Sequence, residues 1–109
     1  MRRAVLIAFS VRSEKFQNFY ERNKFFRELY GWKQMIKRGS GQKKRKEKVY
    51  VYRREGLLTE IPHKKIDQST FIIPEDEFRK MEEFMREWEK KVIWNVFKIL
   101  LEEDIFGEY

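Results

Sequence analysis

The segment "RRAVLIAFSV", residues 2–11, constrains this chain more than any other. Its apolar run is almost unbroken and rich in β-branched residues. A strand with one wet face would alternate polar and apolar positions, so a run apolar at successive positions reads as a strand buried on both faces and therefore central in its sheet. Arg2 and Arg3 before "AVLIAF" imitate the start of a signal peptide. The run is too short for one, however, and Arg12 and Glu14 interrupt it.

The following segment, "SEKFQNFYERNKFFRELYG", carries Phe16, Phe19, Tyr20, Phe26 and Tyr30 at helical spacing. With Ser13 as N-cap and Gly31 as the glycine just past the end, it predicts a helix over 13–30. "WKQMIK" and "VYVYRRE" both alternate and read as a β-hairpin with a long tip. "GLLTEIPHKKIDQ" reads as a connection, because Pro62 argues against a regular element, and "STFIIP" reads as a short strand. Pro74 opens "PEDEFRKMEEFMREWEKK", where Glu75, Asp76 and Glu77 suit a helix N-terminus and Phe78, Met81, Met85 and Trp88 form an apolar stripe. This predicts a helix over about 74–90. "VIWNVFKILL", residues 92–101, fits either a continued helix or a strand. Its Val, Ile, Trp and Phe favour the strand, although no Gly, Pro or Asp marks a turn between Trp88 and Val92. "EEDIFGEY", residues 102–109, is an acidic C-terminal tail.

The order β-α-β-β-(β)-α-β predicts an α+β fold. The expected form is a ferredoxin-like sandwich, an antiparallel sheet with both helices on one face, formed by residues 1–109 as a single domain. A length of 109 residues with 41% hydrophobic and 17% aromatic residues is enough for one core. The chain has no cysteine, which excludes disulfides and thiolate metal sites and points to a cytoplasmic location. The abundance of Lys and Glu resembles the composition of hyperthermophile proteins. No stretch approaches the ~20 apolar residues of a membrane span, so no membrane partner is expected.

Charge is distributed unevenly. The net charge is +7, but residues 1–55 hold 17 Lys and Arg against 5 Asp and Glu, while residues 56–109 hold 8 against 13. The densest stretch is "KRGSGQKKRKEK", residues 37–48, read as a flexible basic hairpin loop. Gly39, Ser40 and Gly41 loosen the tip, and Lys37, Arg38, Lys43, Lys44, Arg45, Lys46 and Lys48 surround it. Such a tip can follow a phosphate backbone and release counterions. It is not a P-loop, because Lys44 and Arg45 follow where that pattern needs a hydroxyl. Tyr50 and Tyr52 alternate with Lys48 and Arg54, so aromatic rings can stack on unpaired bases while cations hold phosphates. At this spacing the strand resembles the third strand of the RNA-recognition motif. It departs from that family in lacking a glycine in "EKVYVY" and in having Leu6 where the family's first strand exposes an aromatic.

These features predict a small protein that binds RNA or single-stranded DNA through Arg2, Arg3, Lys37, Arg38, Lys43, Lys44, Arg45, Lys46, Lys48, Tyr50, Tyr52, Arg53 and Arg54. Single strands are preferred because nothing resembles a helix for reading the major groove. No cofactor and no catalytic residue is expected. Two alternatives stand beside this reading. One is a structural or adaptor subunit that forms a homodimer through sheet edges or the hydrophobic C-terminal segment. The other is a metal-dependent nuclease, for which Glu60 and Asp67 beside His63 offer a hard-cation site. The β-α-β-β-α-β plan resembles that of the small CRISPR-associated subunits of the spacer-acquisition complex. That family places an aspartate at the end of the first strand, where this chain has Phe9–Val11, so the resemblance implies no nuclease site here.

Overall fold

The structure, a computed structural model, describes residues 1–38 and 48–107, with side chains described for 1–33 and 53–107. The central element is β1 (Arg2–Val11), as its apolar run predicts. It pairs antiparallel on one side with β5 (Thr70–Pro74), from Ala4 opposite Pro74 to Ala8 opposite Thr70. On the other side it pairs antiparallel with β6 (Val92–Leu101), from Arg2 opposite Leu101 to Val11 opposite Val92. A short strand, β4 (Lys64–Asp67), borders β5, giving the order β4-β5-β1-β6. The fold is α+β, with a four-stranded antiparallel sheet and two main helices, α1 (Phe19–Tyr30) and α3 (Phe78–Glu87).

Strand alternation assigns the two faces of β1 to different neighbours. Val5, Ile7 and Phe9 join the main core with Phe71 and Ile73, and both helices pack there through Phe25, Leu29, Met81, Phe84 and Trp88. Phe25 is fully buried at the centre, its ring within 5.1–6.5 Å of those of Phe9, Phe16, Phe26, Phe84, Trp88 and Trp94. Full burial of one such side chain stabilises by about 1.5–3 kcal/mol. Ala4 and Ile72 on the opposite face meet Phe106, so the acidic tail folds back and caps part of that face with a small second cluster.

Several boundaries differ from the sequence reading. The helix predicted over 13–30 begins only at Phe19. Ser13–Lys15 forms a separate 3-10 turn, and Asn18 is the true cap, accepting from the Glu21 N–H at 2.9 Å while the Glu21 carboxylate accepts from the Gln17 N–H at 3.1 Å. This reciprocal Asn-x-x-Glu arrangement satisfies two donors at once, which Ser13 cannot do. The apolar stripe shifts accordingly: Phe25 and Leu29 are buried, whereas Phe19 and Tyr20 are exposed. The helix predicted over 74–90 is confined to 78–87. Pro74 lies at the end of β5 in extended conformation, and Glu75–Glu77 forms a 3-10 turn. Residues 92–101 form a strand. The turn before it needs no glycine, because the Trp88 carbonyl accepts from both Lys91 N–H (3.0 Å) and Val92 N–H (2.9 Å). The segment read as a connection contains a one-turn helix, α2 (Leu57–Glu60), and β4.

The hairpin is the largest difference. β2 (Trp32–Arg38) and β3 (Lys48–Arg54) pair only with each other, as a separate two-stranded sheet, and the strands completing the main sheet are β4 and β5. The hairpin is an arm on the body. The reason lies at its root, where the chain leaves through Gly31 and returns through Gly56. Gly31 has φ +79°, a conformation that side chains rarely adopt. A methyl at Gly56 would lie 2.1 Å from the Gly31 nitrogen and 2.5 Å from the Tyr30 carbonyl carbon. The two backbones touch, and only glycine at both positions permits that approach.

Candidate nucleic-acid interface

The arm concentrates the protein's positive charge. From Trp32 to Arg54 the sequence has ten Lys and Arg against one acid, Glu47, while the rest of the chain has 15 against 17. Neither strand of the arm contains an acid. The register sets Trp32 opposite Arg54, Lys33 opposite Arg53, Gln34 opposite Tyr52, Ile36 opposite Tyr50, Lys37 opposite Val49 and Arg38 opposite Lys48. The residues expected to stack and to hold phosphate thus recur along one short ribbon. The tip residues Lys43, Lys44, Arg45 and Lys46, with Gly39, Ser40 and Gly41, lie outside the described residues.

At the root of the arm the glycine contact opens a cleft of about 420 Å³ between α1 and the hairpin. Tyr20, Lys24, Arg27 and Glu28 line it from the helix, and Trp32, Arg54 and Glu55 from the arm. The Arg27 guanidinium lies 5.2 Å from the Trp32 ring centroid, a cation–π contact worth about 0.5–1 kcal/mol at an exposed site. Tyr20 is 74% exposed. Lys24 forms an i,i+4 ion pair with Glu28 at 3.9 Å. Arg27, Lys33, Arg53 and Arg54 form no ion pair with another described residue. Glu77, just before α3, pairs with Lys80, and Glu82 within it pairs with Arg86; among the described residues no acid of 75–87 forms an ion pair with the arm. Flat aromatic surface beside unneutralised cations suits a polyanion with exposed rings, because base stacking on an aromatic contributes about 1–3 kcal/mol.

Tyr30, the last residue of α1, ties the helix end at the root of the arm to the body. Its hydroxyl donates to the Gln68 carbonyl in the β4–β5 turn, and the Lys65 ammonium lies 4.3 Å from its ring centroid. Burial, helped by the negative charge of Asp67, pushes the Tyr30 hydroxyl up to about 12. At the other end of α1, Glu21 pairs with Lys91. That hydrogen bond, followed by the one from the Gln17 N–H, holds its carboxyl below the usual 4.5.

The remaining predicted residues are divided. Arg53 and Arg54 are exposed at the root of the arm. Arg2 and Arg3 are elsewhere. They begin β1, opposite Leu101 and Leu100, whereas the turn that Tyr30 grips lies beside Phe9. The seven steps from Arg2 to Phe9 span about 23 Å of strand. Arg2 is also engaged, 3.6 Å from Asp104 and 5.7 Å from the Phe106 ring centroid. His63 turns onto its own chain, its Nδ1 donating to the Ile61 carbonyl at 2.8 Å. Asp67 accepts from the Gln68 N–H at 2.7 Å, and Glu60 is exposed. Among the described residues no group of three or more His, Cys, Asp or Glu could hold a metal ion, and no helix is long and apolar enough to cross a membrane.

Tyr20, Lys24, Arg27 and Trp32 were missed by sequence reasoning. The signal was present, since positions 20, 24 and 27 follow i, i+4, i+7 spacing along one helix face that ends one turn before Gly31–Trp32. No protein-family model matches the chain, and no curated protein or solved structure matches it.

Proposed function

We propose that this chain is a small cytoplasmic protein that binds RNA or single-stranded DNA, gripping the phosphate backbone with its arm and stacking unpaired bases in the cleft at the arm's root. One observation carries the reading: the arm holds all the excess positive charge, the rest of the chain being slightly acidic, and its described cations, beside Trp32 and Tyr20, form no ion pair with another described residue. Single strands fit better than duplex, because a stacked base in a duplex offers no free ring face to the cleft.

We assign the body to the ferredoxin-like sandwich. What supports this is the order β4-β5-β1-β6, with α1 linking parallel strands β1 and β4 and α3 linking parallel strands β5 and β6. On this assignment the arm is an insertion after the first helix.

The test is fluorescence anisotropy with labelled single-stranded RNA, single-stranded DNA and duplex over a salt series. Binding should weaken linearly in log–log form, with a slope of about −0.7 per phosphate engaged on a single strand. Neutral residues at 43–46 should flatten that slope and weaken every sequence alike. Equal affinity and slope for parent and variant would remove the tip from the interface, and no binding at low salt would reject the function.

A further inference from the structure

The two edges of the main sheet are built differently. β4 is four residues long, has a register irregularity between Lys65 and Asp67, and carries Lys64 and Lys65. Short length, bulging and lysine are the usual protections of an edge strand. β6 is neither short nor bulged and holds a single lysine. Its ten residues pair with β1 without a break, contain no proline and include one charge, Lys98, which leans on Glu75 of its own chain at 3.9 Å. Along this open edge Ile93 is 42% exposed, Val96 39%, Phe97 55% and Leu100 64%. A long, flat, apolar edge is a template for another strand.

We propose that β6 pairs antiparallel with β6 of a second copy, joining two sheets into one of eight strands. Charge favours this occupant and this direction. The start of β6 is flanked by Lys90 and Lys91 and its end by Glu102 and Glu103. Antiparallel self-pairing brings basic start to acidic end twice, whereas parallel pairing would bring like to like. The symmetry also narrows the register. A twofold axis along the sheet normal keeps each face on its own side, so the axis must lie midway between two copies of the same residue. At Lys98 it would oppose two ammonium groups. At Val96 it would leave Leu101 opposite Lys91. At Phe97 it opposes the two Phe97 rings and sets Ile93 opposite Leu101, Trp94 opposite Leu100, and Val96 opposite the aliphatic stem of Lys98. Each exposed apolar residue of β6 thereby gains an apolar neighbour. The assembly carries two arms, so a strand that reaches both would be held bivalently.

Sedimentation of the full chain at about 0.5 M salt, where any contaminating nucleic acid is released, should give twice the 13.6 kDa chain mass. Phe97→Lys should give the monomer with an unchanged circular dichroism spectrum. Because the chain has no cysteine, a single Phe97→Cys reports the register independently, since opposed residues in an antiparallel pair fall within disulfide reach. It should oxidise to a covalent dimer, while Ile66→Cys, within the β4 edge strand, should not. A monomeric parent, or a folded Phe97→Lys variant that stays dimeric, would overturn the proposal. Cross-linking of Ile93→Cys in preference to Phe97→Cys would overturn the register.

Discussion

The body and the arm are held by different physics. The body closes around Phe25, with apolar side chains from every main element buried against one another. The arm is set by two glycines at its root, a ladder between its own strands, and the grip of Tyr30 on the β4–β5 turn. The core sets the stability of the molecule. The root sets where a cationic ribbon points, so placing charge does not require enlarging the core.

This contrast can be broken or sharpened by substitution. The largest effect belongs to the body. Phe25→Ala should cost about 3–5 kcal/mol in urea unfolding, a large share of the 5–15 kcal/mol typical of a domain. A loss under 1 kcal/mol would mean that the aromatic cluster is not the seat of stability. Next is the root, where Gly31→Ala should cost about 1–3 kcal/mol from backbone strain alone. Its methyl also meets the Arg54 carbonyl oxygen at 2.6 Å, so the cleft should distort and nucleic-acid binding should fall further than the stability change explains. Replacing the arm between Gly31 and Gly56 by a short flexible linker should abolish binding yet leave cooperative unfolding of the body intact. Failure of that variant to fold would show that arm and body are one unit.

Smaller effects follow from charge. Arg53→Gln and Arg54→Gln should each remove about 0.7 from the salt slope on a single strand, with stability within about 0.5 kcal/mol of the parent. Two titrations report the ends of α1. The Glu21 carboxyl is depressed below 4.5 by Lys91, so its pair stabilises the fold above that pH and the contribution disappears as pH falls through the folded value. Glu21→Gln should therefore lower Tm at neutral pH and converge with the parent in acid. The Tyr30 hydroxyl is raised from 10.0 to about 12, so the stability it contributes is complete below pH 10 and is lost as pH rises toward about 12. Tyr30→Phe should remove that alkaline decline, measured by thermal melts across the range.

Much of the body was legible because its signals are local and periodic. The run of β1 announces a central strand, Gly31 announces the end of a helix, and "STFIIP" announces β5. The cap of α1 was legible too, in Asn18-x-x-Glu21, but Ser13 offered a competing start and only the hydrogen bonds at Asn18 and Glu21 separate them. β4 was obscured by Pro62 and by the lysines that protect it as an edge. The site was half legible. Arg53, Arg54 and the tyrosines of β3 stand out as a pattern, whereas Tyr20, Lys24 and Arg27 resemble any polar helix face until Trp32 is brought beside them. Arg2 and Arg3 look like members of the same patch because sequence counts charge without distance.

By itself the sequence determined the presence of the two main helices, the central place of β1, and the crowding of cations between Trp32 and Arg54, since all of these follow from side-chain periodicity and composition along a local stretch. Only the tertiary structure decided that the hairpin leaves the sheet, that α1 supplies half of the cleft, and that β6 forms an open edge. Each of these depends on which backbones come into contact, Gly31 with Gly56 or β1 with β6, and such contacts join residues too distant along the chain for any local pattern to specify.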